Sequence, residues 1–208
     1  MGLLLKISII VSFAFVASAK EQERASLQVD DKMFLGDVVV KKGKLNSDQL
    51  EVRGFKIQES SVDAVAKKYK AKVFETGDGD DALYLVCLIG NDKTVLEYTS
   101  GEMGGTENTI LTVGLYNNSA KYKYKKECTK VDKAFKKQRV GGLKLGMKEK
   151  SIINYLGEPS KKNSKFILYY FEDKKKIKGL DFNVNSVIHA TMKNGEIASI
   201  SVSQIMSY

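Results

Sequence analysis

Leu83-Tyr84-Leu85-Val86-Cys87-Leu88-Ile89 is the stretch on which the fold turns. Side chains alternate across a strand, so Leu83, Leu85, Cys87 and Ile89 share one face while Tyr84, Val86 and Leu88 share the other. Both faces are apolar. A sheet with helices on one side only alternates apolar with polar residues, so something must cover each side of this strand. Phe166 to Phe171 behaves alike, with Phe166, Leu168 and Tyr170 opposing Ile167, Tyr169 and Phe171. Either two sheet units pack against each other, or part of an aromatic surface is left for a partner. Lys121 to Lys125 reads as a further strand, with Tyr122 and Tyr124 on one face and Lys121, Lys123 and Lys125 on the other.

Outward from these strands the chain divides into similar halves. Met33 to Val40 and Leu50 to Ile57 read as extended pieces. Ser60 is placed to cap a helix carrying Val62, Val65, Ala66 and Tyr69 at helical spacing. An acidic Gly-rich loop and the strands Leu83 to Ile89, Thr94 to Tyr98, Thr109 to Tyr116 and Lys121 to Lys125 follow, with turns at Asn91-Asp92 and Gly101 to Gly105. After Gly141-Gly142 the order repeats. A helix over about Lys148 to Leu156, with Ile152, Ile153 and Leu156 on its apolar face, stops at Gly157 and Pro159. Strands are expected at Phe166 to Phe171, Leu180 to Val184, Val187 to Met192 and Ile197 to Gln204, with Asn194-Gly195 as a hairpin turn. The expectation is an α+β chain of two small tandem units, each a short helical segment packed on an antiparallel sheet. They cover residues 33–138 and 139–208.

Gly142-Leu143-Lys144-Leu145-Gly146-Met147, followed by Ile152-Ile153-Asn154-Tyr155-Leu156-Gly157-Glu158-Pro159 and then aromatic strands, resembles the SmpA/OmlA outer-membrane assembly lipoprotein domain and the related β-lactamase-inhibitor proteins. The resemblance covers about residues 141–204. It implies a helix-plus-sheet unit, in tandem as in the inhibitor proteins, whose exposed sheet face and loops contact another protein. It implies no catalytic residues. The chain departs from the pattern in lacking the lipid-anchor cysteine and in having no tryptophan.

The amino-terminal residues point to export. Lys6, the apolar run Ile7 to Val16 and the small-x-small site Ala17-Ser18-Ala19 have the layout of a signal peptide over residues 1–19, followed by an acid-rich arm over residues 20–32. An apolar run of about ten residues is too short for a transmembrane span. The first cysteine after it is Cys87, so no lipid anchor is expected. The expected address is the periplasm or the exterior. In an oxidising compartment the two cysteines, Cys87 and Cys128, read as one disulfide closing a loop of about 41 residues, against two unpaired buried thiols. A simple meander would separate their strands by about three spacings of 4.8 Å, beyond disulfide reach. Either the sheet is not a meander, or Cys128 sits in a segment that folds back over it.

The formal charge of +9 on 208 residues comes from lysines throughout the chain, with clusters at Lys121 to Lys126, Lys133 to Arg139 and Lys174 to Lys178. Such lysines usually form a solvated surface; the alternative is an anionic envelope polymer, lipid or acidic protein as ligand, with nucleic acid a poor fit for an exported chain. His189, the single histidine, lies in a strand without a Cys, His or Asp cluster nearby in sequence, and no serine sits in a nucleophile elbow. Residues 75–81, Glu-Thr-Gly-Asp-Gly-Asp-Asp, lack the alternating ligands and final glutamate of an EF-hand, so calcium stands against an ordinary solvated loop. No cofactor or metal is expected. The expected partner is another exported or periplasmic protein, contacted through Tyr84, Tyr98, Glu102, Met103, Tyr116 and Tyr169 on strands and a Gly-rich turn. The function read from the sequence is non-enzymatic protein binding, as an inhibitor of a secreted or periplasmic enzyme or as an envelope-assembly factor. An envelope-ligand or calcium module is the alternative.

Overall fold

In a computed structural model the described residues are 38–43, 45–77, 82–101, 105 and 107–207. The signal-peptide and arm readings of residues 1–32 fall outside them, as do Glu102, Met103 and Asp78 to Asp81. The chain runs through β1 (Lys41–Lys42), α1 (Ser47–Leu50), β2 (Glu51–Val52), β3 (Phe55–Lys56) and α2 (Val62–Tyr69). It continues with β4 (Phe74–Thr76), β5 (Leu83–Ile89), β6 (Val95–Gly101), β7 (Thr112–Tyr116), a 3-10 turn at Ser119–Lys121 and β8 (Thr129–Lys130). Last come α3 (Glu149–Leu156), β9 (Lys161–Lys162), β10 (Phe166–Ile177), β11 (Leu180–Lys193) and β12 (Glu196–Ser207).

Local chemistry fixes the helix ends. Ser61, one residue beyond the expected cap, accepts from the Ala64 amide at 3.2 Å and starts α2. Val62 and Val65 then face the core, and Lys70 ends the helix at a left-handed φ of 50°. In α3, Glu149 favours the positive end of the dipole, Ile152 is buried, and the Gly157 amide closes the last turn on the Ile153 carbonyl at 2.8 Å. Both helices were legible from spacing and caps.

The fold class differs from the expectation. Strand makes up 47 % and helix 14 %, and the strands form one mixed ten-stranded sheet in place of two helix-on-sheet units. Its order is β1-β10-β11-β12-β7-β6-β5-β4, with β8 added to β5 and β9 to β10. The joint is the antiparallel pair β12–β7, from Ser199↔Tyr116 to Ser203↔Thr112. Had the halves kept separate sheets, β7 and β12 would each present an unpaired edge; pairing them satisfies both rows of backbone groups. The second half also forms longer strands than expected, since Leu180 to Val184 and Val187 to Met192 are one strand. Two tight turns make these hairpins: Asn194-Gly195 as read, and Lys178-Gly179, both with positive φ at the two central residues.

Helices α1, α2 and α3 and the β2–β3 hairpin all lie on one side of the sheet. Leu50, Val52, Phe55, Val62, Val65 and Ile152 share a single core there with Val86, Leu88, Tyr98, Val113, Tyr169, Ile188 and Val202. On the opposite side, called here the far face, two smaller clusters sit at the ends. One gathers Phe74, Leu85, Cys87, Ile89, Val95 and Tyr122, and the other Leu168, Tyr170, Val187 and Ile205 with Val38 against them. The second apolar face of β5 is thus covered by the segment that follows β7. Residues 121–125 are not the expected strand, although Tyr122 and Tyr124 do face the sheet and Lys121, Lys123 and Lys125 are exposed.

The same segment answers the geometric objection to the disulfide. After β7 the chain crosses back over the far face and β8 joins β5 in parallel, beyond the short β4, with Leu88↔Thr129 in register. Cys128 thereby lies 4.7 Å from Cys87 between Cα atoms, and the Cys87–Cys128 bridge is formed.

Candidate functional site

The proposed contact residues do not form one surface. Tyr98 and Tyr169 are fully buried on the helix side, contrary to the exposure expected of them. The Tyr98 hydroxyl donates to the Val52 carbonyl at 3.0 Å, and its ring meets Phe55 edge-on at 5.7 Å. Burial first, then the Tyr69 hydroxyl, pushes its pKa up against the opposing Arg53 charge. Tyr169 donates to the Gly157 carbonyl at 2.8 Å, which ties β10 to the end of α3, and burial with Glu158 and Glu149 nearby pushes it up to about 12. Tyr84 is half-buried against the same core. These three are packing residues. Alternation along a strand leaves two faces equivalent, and only the placement of the helices decided which became core. Tyr116 alone, among the described candidates, stands on the far face.

Across the middle of the far face the residues are small and polar. Strand registry aligns Cys87, Glu97, Gly114, Ser201, His189 and Leu168 in one row, and Tyr116, Ser199, Thr191 and Phe166 in the next. A third row holds Thr99, Thr112, Ser203, Val187 and Tyr170. Hydroxyls pair across the strands: Thr112 with Ser203 at 2.8 Å and Thr191 with Ser199 at 2.5 Å. Gly114 has a conformational purpose of another kind, because an added Cβ would come within 2.6 Å of the Tyr116 hydroxyl and 2.8 Å of its ring. Tyr116 therefore lies flat along its own strand, and its hydroxyl reaches Glu97 Oε1 at 3.3 Å.

Glu97 was missed by the sequence reading. It is 1 % exposed, and its carboxylate accepts from the hydroxyls of Tyr122, Tyr116 and Thr99, with no cation beside it among the described residues. Burial pushes its pKa up, and the three hydroxyl donors oppose that shift without cancelling it. Burial and the neighbouring Glu97 charge likewise raise the Tyr122 phenol. The available signal was an acid between Leu96 and Tyr98 in a strand whose neighbour carries Cys87, a position that demands hydroxyl partners once covered.

Asp92, read only as a turn residue, is the other structural acid. Its Oδ2 accepts from the amides of Phe135 and Lys136 at 2.9 and 2.7 Å, and its Oδ1 from the Thr94 amide and hydroxyl. Burial raises the carboxyl, but these hydrogen bonds outweigh it and hold the group below its ordinary 3.8.

His189 is half-buried, with the Phe166 ring 5.6 Å away, and burial lowers its pKa from 6.5 to about 4. It is neutral at physiological pH. Ser201 is its lateral neighbour and Glu97 lies in the same row, yet the order Glu97–Gly114–Ser201–His189 puts the acid on the serine's side, about 10 Å of sheet from it. A triad needs the acid on the imidazole, and among the described residues no hydrogen bond joins Ser201 to His189. Nor, among those residues, do three or more His, Cys, Asp or Glu side chains converge to hold a metal. No helix among them is long and apolar enough to cross a membrane. Comparison with family models, curated proteins and solved structures gives no match.

Proposed function

We propose that this is an exported, non-enzymatic protein-binding protein, acting as an inhibitor of a secreted or periplasmic enzyme or as an envelope-assembly factor. The observation that carries the reading is the row Tyr116–Ser199–Thr191–Phe166 on the far face, all four residues half-buried. Four adjacent strands hold the two aromatic ends about 14 Å apart, a spacing suited to two anchors on one partner. Between them the Thr191 and Ser199 hydroxyls bond each other, so a partner covering them has at most one hydroxyl proton left to satisfy. The polar face has no catalytic order, the disulfide suits an oxidising compartment, and the residues resembling the assembly-lipoprotein and inhibitor domains favour the same class.

The test is capture from an envelope extract of the producing cell. One protein recovered in near-equal amount is expected, and it should be lost on Ser199→Arg or Thr191→Arg with the unfolding midpoint unchanged. Retention by both variants rejects this row as the site. Recovery of glycan or lipid without protein rejects the function.

A further inference from the structure

The charge of this chain is concentrated where the structure makes it rigid. Residues 117–139 hold eight lysines and one arginine against Glu127 and Asp132, a net +7 of the chain's +9. Within this strap the cluster at 121–126 crosses the far face, and that at 133–139 follows β8 past the sheet edge, where Phe135 enters the helix-side core. The 91–93 turn holds both, through the Lys93 carbonyl to the Ser119 amide and through Asp92 to the Phe135 and Lys136 amides. All nine cations are exposed, and among the described residues none of them makes an ion pair.

The strap is pinned along its length by groups that face inward. Tyr122 and Tyr124 lie against the sheet, Cys128 is bonded to Cys87, β8 pairs with β5, and Phe135 is fully buried. The Ser119 amide donates to the Lys93 carbonyl at 2.8 Å, the Asn91 amide to the Lys133 carbonyl at 2.9 Å, and Asp92 takes the Phe135 and Lys136 amides. With the aromatic groups turned in, the outer side is left to ammonium groups. At one end Lys93, Lys125 and Lys130 surround an open groove of about 620 Å³, with the amides of Asn91 and Asn118 on its walls. Asp132 at the rim is engaged by Asn91 Nδ2 at 3.1 Å.

We propose that this strap is a docking surface for an anionic phospholipid membrane. The composition argues against a protein occupant, because lysine is depleted at protein interfaces and aromatic anchors are enriched, whereas here the tyrosines are consumed inside. A mobile sheet of phosphate headgroups asks for no fixed register, only for a dense and pre-ordered array of cations. With no apolar group to insert, the binding is electrostatic, reversible and salt-sensitive. The strap borders the Tyr116 end of the Tyr116–Phe166 row, where the Tyr122 ring packs on Tyr116 at 5.1 Å between centroids, while its ammonium groups point outward.

The experiment is co-sedimentation of the protein, as recovered from expressing cells, with vesicles of phosphatidylcholine containing about one third phosphatidylglycerol, beside vesicles of phosphatidylcholine alone. Binding to the anionic vesicles is expected at about 0.1 M NaCl and lost at about 0.5 M. Lys121, Lys123, Lys125 and Lys126 changed together to glutamine should weaken it by about fivefold per lysine, several hundredfold in all. A control variant removes four exposed lysines from the β10–β11 hairpin, Lys174, Lys175, Lys176 and Lys178, and should lose less than about tenfold. Circular dichroism confirms that both variants fold. Equal loss in the two variants would show net charge alone at work and overturn the proposal. Equal binding to neutral and anionic vesicles, or binding to an acidic protein or polynucleotide but not to vesicles, overturns it as well.

Discussion

Replacing Cys87 and Cys128 together by alanine removes the bond that holds the strap across the far face. The bridge spans 41 residues, and closing a loop of that length withdraws about 13 cal/mol/K from the unfolded chain, or about 4 kcal/mol at 25 °C. The native state loses packing as well, because Cys87 is 1 % exposed among Leu85, Ile89, Val95 and Tyr122; two missing sulfur atoms add roughly 1 kcal/mol. For a chain of this size each kcal/mol lowers Tm by about 2 to 4 °C, so a fall of roughly 10 to 20 °C is expected. Guanidinium unfolding followed by circular dichroism and by tyrosine fluorescence measures the loss, and coincidence of the two curves tests whether it is one transition. A loss under about 1 kcal/mol would refute the argument that the bridge restrains an otherwise free crossing segment. Thiol labelling of the denatured wild type without reductant gives a second check, with no free thiol expected.

Further outcomes follow from the far face and the core. The Glu97 carboxyl titrates above its ordinary 4.5 in the folded chain, so its contribution to stability is complete below 4.5 and is lost as pH rises through the folded value. Glu97→Gln should abolish that decline in denaturant unfolding measured over a pH series; an unchanged profile would show that another group titrates. His189 behaves oppositely: with its pKa lowered from 6.5 to about 4, its contribution is complete above 6.5 and lost as pH falls toward 4. An NMR titration of the imidazole should find the midpoint near 4, and a midpoint at 6.5 contradicts its burial. Tyr98→Phe removes the hydroxyl donor to the buried Val52 carbonyl, which keeps its pairing with Phe55, and should cost about 1 kcal/mol, while Tyr84→Phe should stay within about 0.5 kcal/mol. Equal costs would mean that the Tyr98 hydroxyl bond contributes nothing.

The local signals in this chain were sufficient for its two longer helices and the Asn194-Gly195 turn, but not for residues 121–125, which are not a strand. Spacing of Val62 and Val65 and of Ile152 and Leu156, a serine cap and Gly157 specified two helices, because helix ends are satisfied by neighbours in sequence. The two apolar faces of Leu83 to Ile89 required cover on both sides, and both are covered. Asn194-Gly195 set a hairpin, and the two cysteines set a bridge. What the sequence could not show was which strand lies beside which. Pairing of β7 with β12 joins residues more than eighty positions apart, and nothing in either strand names the other. That single pairing turned two expected units into one sheet. The candidate site was decided in the same way, for alternation says that Glu97 and Tyr98 take opposite faces but not which face the helices cover. Glu97, harmless in sequence, became a buried acid only when the strap brought Tyr122 over it. Helices and turns are settled within a few residues by hydrogen bonds close in the chain, whereas sheet order and burial are settled by contacts whose partners the chain supplies only after it has folded.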